Sequence, residues 1–300
     1  MNALKKKATP YFLILPTILA LIMFSVYPFV SGLWYSLTDI KFIGGVANWV
    51  GLDNFQRLFT GTGSSATYFY KAVLQNFQWT ISVIMGQLVL GYITALLLNE
   101  KLAGRGVFRT LIMLPWAIPS VVMALTWQWM YDPFFGLINY YLQAFGLIEQ
   151  YQIWVGQPNS TIWPQVVVAI WRGLPFMSIM LLSGLQSIPD ELYEAAKIDG
   201  ASAFQRFRFI TLPLMRSVTI VVTMLTTMWW WNSFDIQKVM SPVQSLAYNS
   251  MTLPLLAWFE AFQWKHLGRG AAISVVSLLI MFVFIFINAR RELKGNQEGA

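Results

Sequence analysis

The stretch from Ala72 to Leu98, AVLQNFQWTISVIMGQLVLGYITALLL, contains no Asp, Glu, Lys or Arg. A bilayer core about 30 Å thick is crossed by about 20 apolar residues in a helix rising about 1.5 Å per residue, so this run is long enough to span one. Composition says that such runs recur: 57% of the 300 residues are hydrophobic, 11% are charged and mean hydropathy is +0.56. Soluble domains carry roughly 25% charged residues. A water-soluble fold could not hide this much apolar surface.

Working outward from that segment, five more runs stand out, at about Tyr11 to Trp34, Thr110 to Met130, Thr161 to Gln186, Ile210 to Phe234 and Ala271 to Ile287. The first follows Lys5, Lys6 and Lys7 and outruns the apolar core of a cleaved signal peptide, which predicts a retained helix with a cytoplasmic N-terminus. Residues 37–70 read as a polar loop rich in Gly and Ser. Cytoplasmic loops carry the excess of Lys and Arg. One side holds thirteen of them: Lys5, Lys6, Lys7, Lys101, Arg105, Arg109, Lys197, Arg206, Arg208, Arg216, Arg290, Arg291 and Lys294. The other holds six: Lys41, Arg57, Lys71, Lys238, Lys265 and Arg269. The expected fold is therefore an all-α integral membrane protein: one transmembrane domain over residues 1–300, six spans, and both termini cytoplasmic. Trp34, Trp116, Trp127, Trp129, Trp163 and Trp258 fall near run ends, as aromatic belts do. Pro16, Pro28, Pro115, Pro119 and Pro175 predict kinks, either around a pathway or of the ordinary kind in spanning helices.

Several chemistries are excluded. With no cysteine there is no disulfide, thiolate metal site or Cys nucleophile, and the one histidine, His266, has no evident partner cluster, so no metal site and no catalytic residue is predicted. The net charge of +7 is scattered between apolar runs, which suits anchoring to membrane lipid and not nucleic-acid binding. No G-x-x-x-x-G-K-[ST] loop is present, so the chain does not hydrolyse nucleotide itself. The runs contain essentially no Asp, Glu or His, which argues against a proton-coupled secondary transporter and leaves little for an intramembrane enzyme to use.

The segment between the fourth and fifth runs, residues 187–213, reads SIPDELYEAAKIDGASAFQRFRFITLP. Ser187 and Asp190 have capping-box-like spacing, and Asp190 and Glu191 suit the positive end of a helix dipole. Gly200 is a helix stop of the left-handed type, and Ser202 can cap a second helix that feeds Pro213. The bland alternative is an amphipathic connector lying on the membrane surface.

Glu194-Ala195-Ala196, three residues, Gly200, nine residues, Ile210, one residue, then Leu212-Pro213 resembles the "EAA" loop of the membrane subunits of ATP-binding-cassette importers. Asp199 and Ala201 extend the match to Asp-Gly-Ala, and the layout of runs with Phe234-Asp235 after the fifth is similar to the sugar-importer, maltose-permease-like branch. The resemblance implies a permease subunit in a bacterial or archaeal cell (inner) membrane that forms half of a translocation pathway. It implies a homologous second permease subunit, two cytoplasmic ATPase subunits carrying ATP and Mg, and an extracellular or periplasmic sugar-binding protein, with no cofactor bound by this chain. It also makes residues 187–213 a cytoplasmic coupling loop in which Glu194, Ala195, Ala196, Asp199, Gly200 and Ala201 meet the ATPase.

Sugars are recognised by hydrogen bonds to hydroxyls and by ring faces laid on aromatic side chains. The substrate-binding candidates are therefore Trp229, Trp230, Trp231 and Asn232 at the outer end of the fifth run, Trp171 and Arg172 in the fourth, Asp235, and Gln75 at the outer start of the second. Three consecutive tryptophans step around a helix by about 100°, so they cannot all face one cavity. Arg172 near a helix centre costs roughly 2.5 to 3.5 kcal/mol on insertion scales, which argues for a cavity or a partner. Two readings stand for it: an acidic or glycerol phosphate-like substrate, or an ion pair with Asp132 or Asp235.

Overall fold

The computed structural model describes residues 13–60, 64–100, 104–156, 162–241 and 250–298. Lys5, Lys6, Lys7, Lys101 and the run ends at Tyr11 and Thr161 lie outside them. The chain is helical throughout these segments, with no strand among the described residues and one isolated bridge between Thr38 and Trp49. In order the helices are α1 (Leu13–Ser36), α2 (Asp53–Thr60), α3 (Ser64–Asn99), α4 (Arg105–Ala117), α5 (Ser120–Met130), α6 (Leu137–Ala144), α7 (Ile162–Leu185), α8 (Asp190–Ile198), α9 (Ala203–Leu214), α10 (Arg216–Asn232), α11 (Asp235–Met240), α12 (Leu253–Trp258) and α13 (Leu267–Glu298).

Four helices are long and apolar enough to cross a membrane: α1, α3 over Tyr68–Asn99, α7, and α13 over Leu267–Asn288. The third and fifth runs are not single rods. The third breaks between α4 and α5 with a 92° bend, and the fifth breaks between α9 and the continuation through α10 with a 70° bend. Pro119 accounts for the first break. Proline disfavours helical geometry in the residue before it, and Ile118 is extended at φ −76°, ψ 131°. In the second, Pro213 sits just ahead of the bend and the preceding turn, Phe207–Thr211, widens to a π turn.

The described chain divides into two compact units, residues 1–69 with 256–279, and residues 70–255 with 280–300. In the first, the loop expected over 37–70 is more structured than its composition suggests. Buried Asn54 donates to the carbonyls of Ser36 and Thr38 at 2.9 and 2.8 Å. Asn48 donates to both oxygens of the Asp39 carboxylate, and that side-chain bond is the main cause holding Asp39 below its ordinary pKa. His266 does have a partner here: Glu260, fully buried, brings Oε2 to 3.3 Å from its Nδ1. The pairing escapes linear reading because the π turn at Phe259–Gln263 and the left-handed Lys265 fold six residues back on themselves.

The second unit is built on α3, α7 and α10. In lipid, helices associate by close packing through small residues, since apolar side chains gain little by leaving hydrocarbon. Gly91 on α3 lies where a Cβ would meet Met177 Cγ at 2.6 Å, and Gly184 on α7 lies where one would meet Met215 Cε at 2.8 Å. Two apolar clusters result. One gathers Trp79, Val83, Met123, Val166, Ala169, Trp230 and Met240, and the other Tyr92, Ala95, Met177, Leu181, Leu185, Met215 and Val222. The second reaches Tyr193 and Phe207 within the 187–213 loop, so the loop is tied to the bundle.

Candidate functional site

Two places in the second unit hold most of the residues singled out in the sequence. The first is the elbow between α7 and α10. Helix α8 begins after Pro189, without a side-chain cap. Ser187, expected to cap it, instead donates its hydroxyl back to the Gly184 carbonyl at 2.7 Å, because Pro189 sets an extended N-cap one residue before Asp190. At the other end the stop is formed as the sequence predicts. Gly200 has φ 79°, its amide donates to the Lys197 carbonyl at 3.1 Å, and the Ala201 amide donates to Ala196 at 2.9 Å. That pair of hydrogen bonds is the Schellman closure, which satisfies carbonyls the helix end leaves open. Ser202 and Gln205 then form a reciprocal capping box at 2.7 and 3.3 Å. Tyr193 and Thr211 hydroxyls, 2.9 Å apart, tie α8 to α9.

Glu194, Ala195, Asp199 and Gly200 are exposed, while Ala196 and Ala201 are half-buried. Ile198 is 87% exposed and Phe204 69%, although both are large apolar side chains.

The second place is a recess between α3, α7 and α10. It is lined by Gln87, Trp116, Arg172, Phe176, Trp229 and Trp230, and its volume is about 10 Å³, roughly one water. The Trp229 and Trp230 rings stack at 6.4 Å with 15° between planes. The Arg172 guanidinium carbon sits 5.8 Å from the Trp229 ring centre, within the range of a cation–π contact. Arg172 makes no ion pair among the described residues, and its Nε has no hydrogen-bond partner. The alternative of a pair with Asp132 or Asp235 is thereby corrected. Both carboxylates serve their own turns: Asp132 accepts from the amides of Phe134 and Phe135, and Asp235 from the Ser233 hydroxyl at the start of α11.

The other sequence candidates lie elsewhere. Trp171 packs edge-on against Trp127 at 5.6 Å and faces a separate apolar groove of about 550 Å³, bordered by Arg105, Phe108, Pro115 and Leu174. Trp231 is buried edge-on against Phe77, and its carbonyl accepts from Asn76. Asn232 is exposed and bonds the Met228 carbonyl, and Gln75 is buried on α3. The three tryptophans thus diverge as their spacing requires. Trp229 stays 43% exposed while its two neighbours are enclosed. Sequence reasoning missed Gln87, Phe176 and Trp116, although a lone amide amid the apolar stretch VIMGQLVLG was a signal for the first.

Residues 87–292 match the family described as "Binding-protein-dependent transport system inner membrane component". A trehalose/maltose transport system permease protein of Thermococcus litoralis is 36% identical over 92% of this chain and 91% of its own length. A diacetylchitobiose uptake system permease protein of Streptomyces coelicolor is 30% identical over 96% of this chain and 88% of its own. Among solved structures, a bacterial alginate ABC transporter in complex with alginate pentasaccharide-bound periplasmic protein has a chain that superposes with a TM-score of 0.80 at 22% identity. The superposition covers 95% of this chain and 93% of that one, a likeness of fold.

Proposed function

Since this chain belongs to the binding-protein-dependent transport system inner membrane components, we propose that it is the permease subunit of an ATP-driven importer of sugars, oligosaccharides or glycosides. The observation that carries the sugar reading is the half-exposed Trp229 face, stacked on Trp230 with the Arg172 guanidinium over it. An indole face complements the apolar face of a pyranose, and a guanidinium with an unused N–H complements its hydroxyls. The trehalose/maltose and diacetylchitobiose systems named for the relatives support the same substrate class.

In this reading the chain crosses the cell (inner) membrane six times, each bent pair counting as one span, with both termini in the cytoplasm. Residues 1–300 form one permease domain, and residues 187–213 are its coupling loop. The subunit contributes half of the pathway beside a homologous second permease, and a periplasmic or extracellular binding protein delivers substrate. ATP and Mg bind the two partner ATPases, and this chain supplies no hydrolytic group. Glu194, Ala195, Ala196, Asp199, Gly200 and Ala201 sit in an ATPase cleft, so closure of the ATPases pushes on α8 and α9. The 70° bend before α10 carries that push to the helix bearing Trp229 and Trp230. Two discrete arrangements of a packed bundle, one open to each side, are the standard form of such a switch. The recess of about 10 Å³ must open before a sugar enters.

Reconstitution with the partner ATPases, second permease and binding protein in vesicles tests this. Uptake of labelled maltose or trehalose should require ATP and survive collapse of ion gradients. Uptake that persists without ATP while an ion gradient is intact would instead mark a secondary transporter. Gly200→Asp should abolish both transport and substrate-stimulated ATP hydrolysis; retention of both would sink the coupling assignment. A second reading, acidic or glycerol phosphate-like sugars, is favoured by the missing ion-pair partner of Arg172. Arg172→Gln should then depress uptake of an acidic sugar far more than that of a neutral one.

A further inference from the structure

We propose that Gln87 is a positioning residue that sets the aromatic platform of the recess. The proposal rests on the reading of Trp229 and Arg172 as substrate contacts. Gln87 is fully buried on α3, and its amide reaches two other helices. Nε2 donates to the Ala169 carbonyl on α7 at 2.9 Å, and Oε1 accepts from the Trp230 indole N–H on α10 at 3.1 Å. Gly173 makes room for this crossing, since a Cβ at that position would fall on the Gln87 amide. Trp230 is held a second time through its carbonyl, which accepts from Trp79 Nε1 at 3.0 Å.

With ring and backbone both fixed, Trp230 cannot turn about its side-chain torsions without leaving Gln87 Oε1 and its own N–H unsatisfied in an apolar surround. A buried group left so pays its full desolvation with no bond in return. The Trp229 ring runs nearly parallel to that of Trp230 and edge-on to Phe176, centres 6.4 Å apart in both cases, so the orientation of the exposed indole face, and the place where Arg172 meets it, follow from the Gln87 bond. An apolar side chain at residue 87 would fill the same space but leave the platform free to rotate. Gln87 lines the recess and acts on selectivity through the Trp230 ring that it holds.

Three variants of the full chain separate positioning from packing. Gln87→Met keeps volume and removes both bonds, Gln87→Glu keeps the acceptor for Trp230, and Gly173→Ala displaces the amide without altering it. The Trp230 indole ¹⁵N–¹H resonance in nanodiscs, identified by its loss in Trp230→Phe, should move upfield in Gln87→Met and Gly173→Ala and stay near its wild-type position in Gln87→Glu. In reconstituted vesicles the ratio of uptake rates for two disaccharides differing at one hydroxyl should fall by about tenfold in Gln87→Met and Gly173→Ala and stay near the wild-type ratio in Gln87→Glu, one oriented hydrogen bond corresponding to roughly that factor. A resonance that does not move in Gln87→Met overturns the proposal. So does a resonance that moves while the uptake ratio holds, which would make Gln87 a packing residue only. If the wild type takes up no saccharide, it is the sugar reading that fails, and the positioning role is then decided by the resonance alone.

Discussion

The elbow at residues 187–214 and the recess around Gln87 belong to the same helical unit, yet they are made in opposite ways. The bonds that shape the elbow are short in sequence: Gly200 to Lys197, Ala201 to Ala196, Ser202 with Gln205, and the longest, Tyr193 with Thr211, bridges 18 residues. The bonds that shape the recess join Gln87 to Ala169, Gln87 to Trp230 and Trp79 to Trp230, across separations of 82, 143 and 151 residues. The elbow turns its large apolar side chains outward, while the recess encloses its polar ones. One is a local device; the other exists only once three helices have packed.

Changes in the recess should therefore disturb the whole bundle, and changes in the elbow should stay where they are made. The largest expected effect is from Trp230→Ala, about 3–5 kcal/mol for emptying a fully packed tryptophan site, read as a lowered melting midpoint in detergent together with loss of uptake. Preserved melting would mean that the packing around Trp79 and Gln87 is not cooperative. Next comes Gly91→Ala, about 1–3 kcal/mol, because a Cβ there meets Met177 close to its backbone. Gly184→Ala should cost less, since its closest contacts are with the flexible end of Met215 and Val218 Cγ1 is no nearer than 3.0 Å, and equal melting shifts for the two would break the argument from close approach. Gly200→Ala should cost about 1–2 kcal/mol, purely for holding a left-handed residue, as nothing lies within 4 Å of its Cβ. Hydrogen exchange should rise in residues 190–205 and nowhere in α3 or α7. Ser202→Ala removes half of a capping box, about 1 kcal/mol at most, and should raise exchange only in the first turn of α9.

The runs of α3, α7 and α13 were legible because a lipid-spanning helix must satisfy its backbone internally and present apolar side chains all along, a demand written into composition alone. The broken third and fifth runs were not. Hydropathy counts apolar residues without regard to backbone direction, and the proline that forces Ile118 out of helical geometry leaves the average unchanged. Arg172 stands out in the sequence by the cost of its charge, but its surroundings do not, because Asp132 and Asp235 are committed to turns that only the folded backbone reveals.

What the sequence determined by itself was whatever depends on near neighbours: the membrane-spanning runs, the Gly200 stop, the Ser202 cap and the divergence of three adjacent tryptophans. Tertiary structure alone decided which tryptophan faces open space, that Gln87 bridges three helices, and that Gly173 lets it pass. A residue's own turn fixes its backbone, but which side chains meet is fixed by how separate helices approach, and that distance is set jointly by residues far apart in the chain.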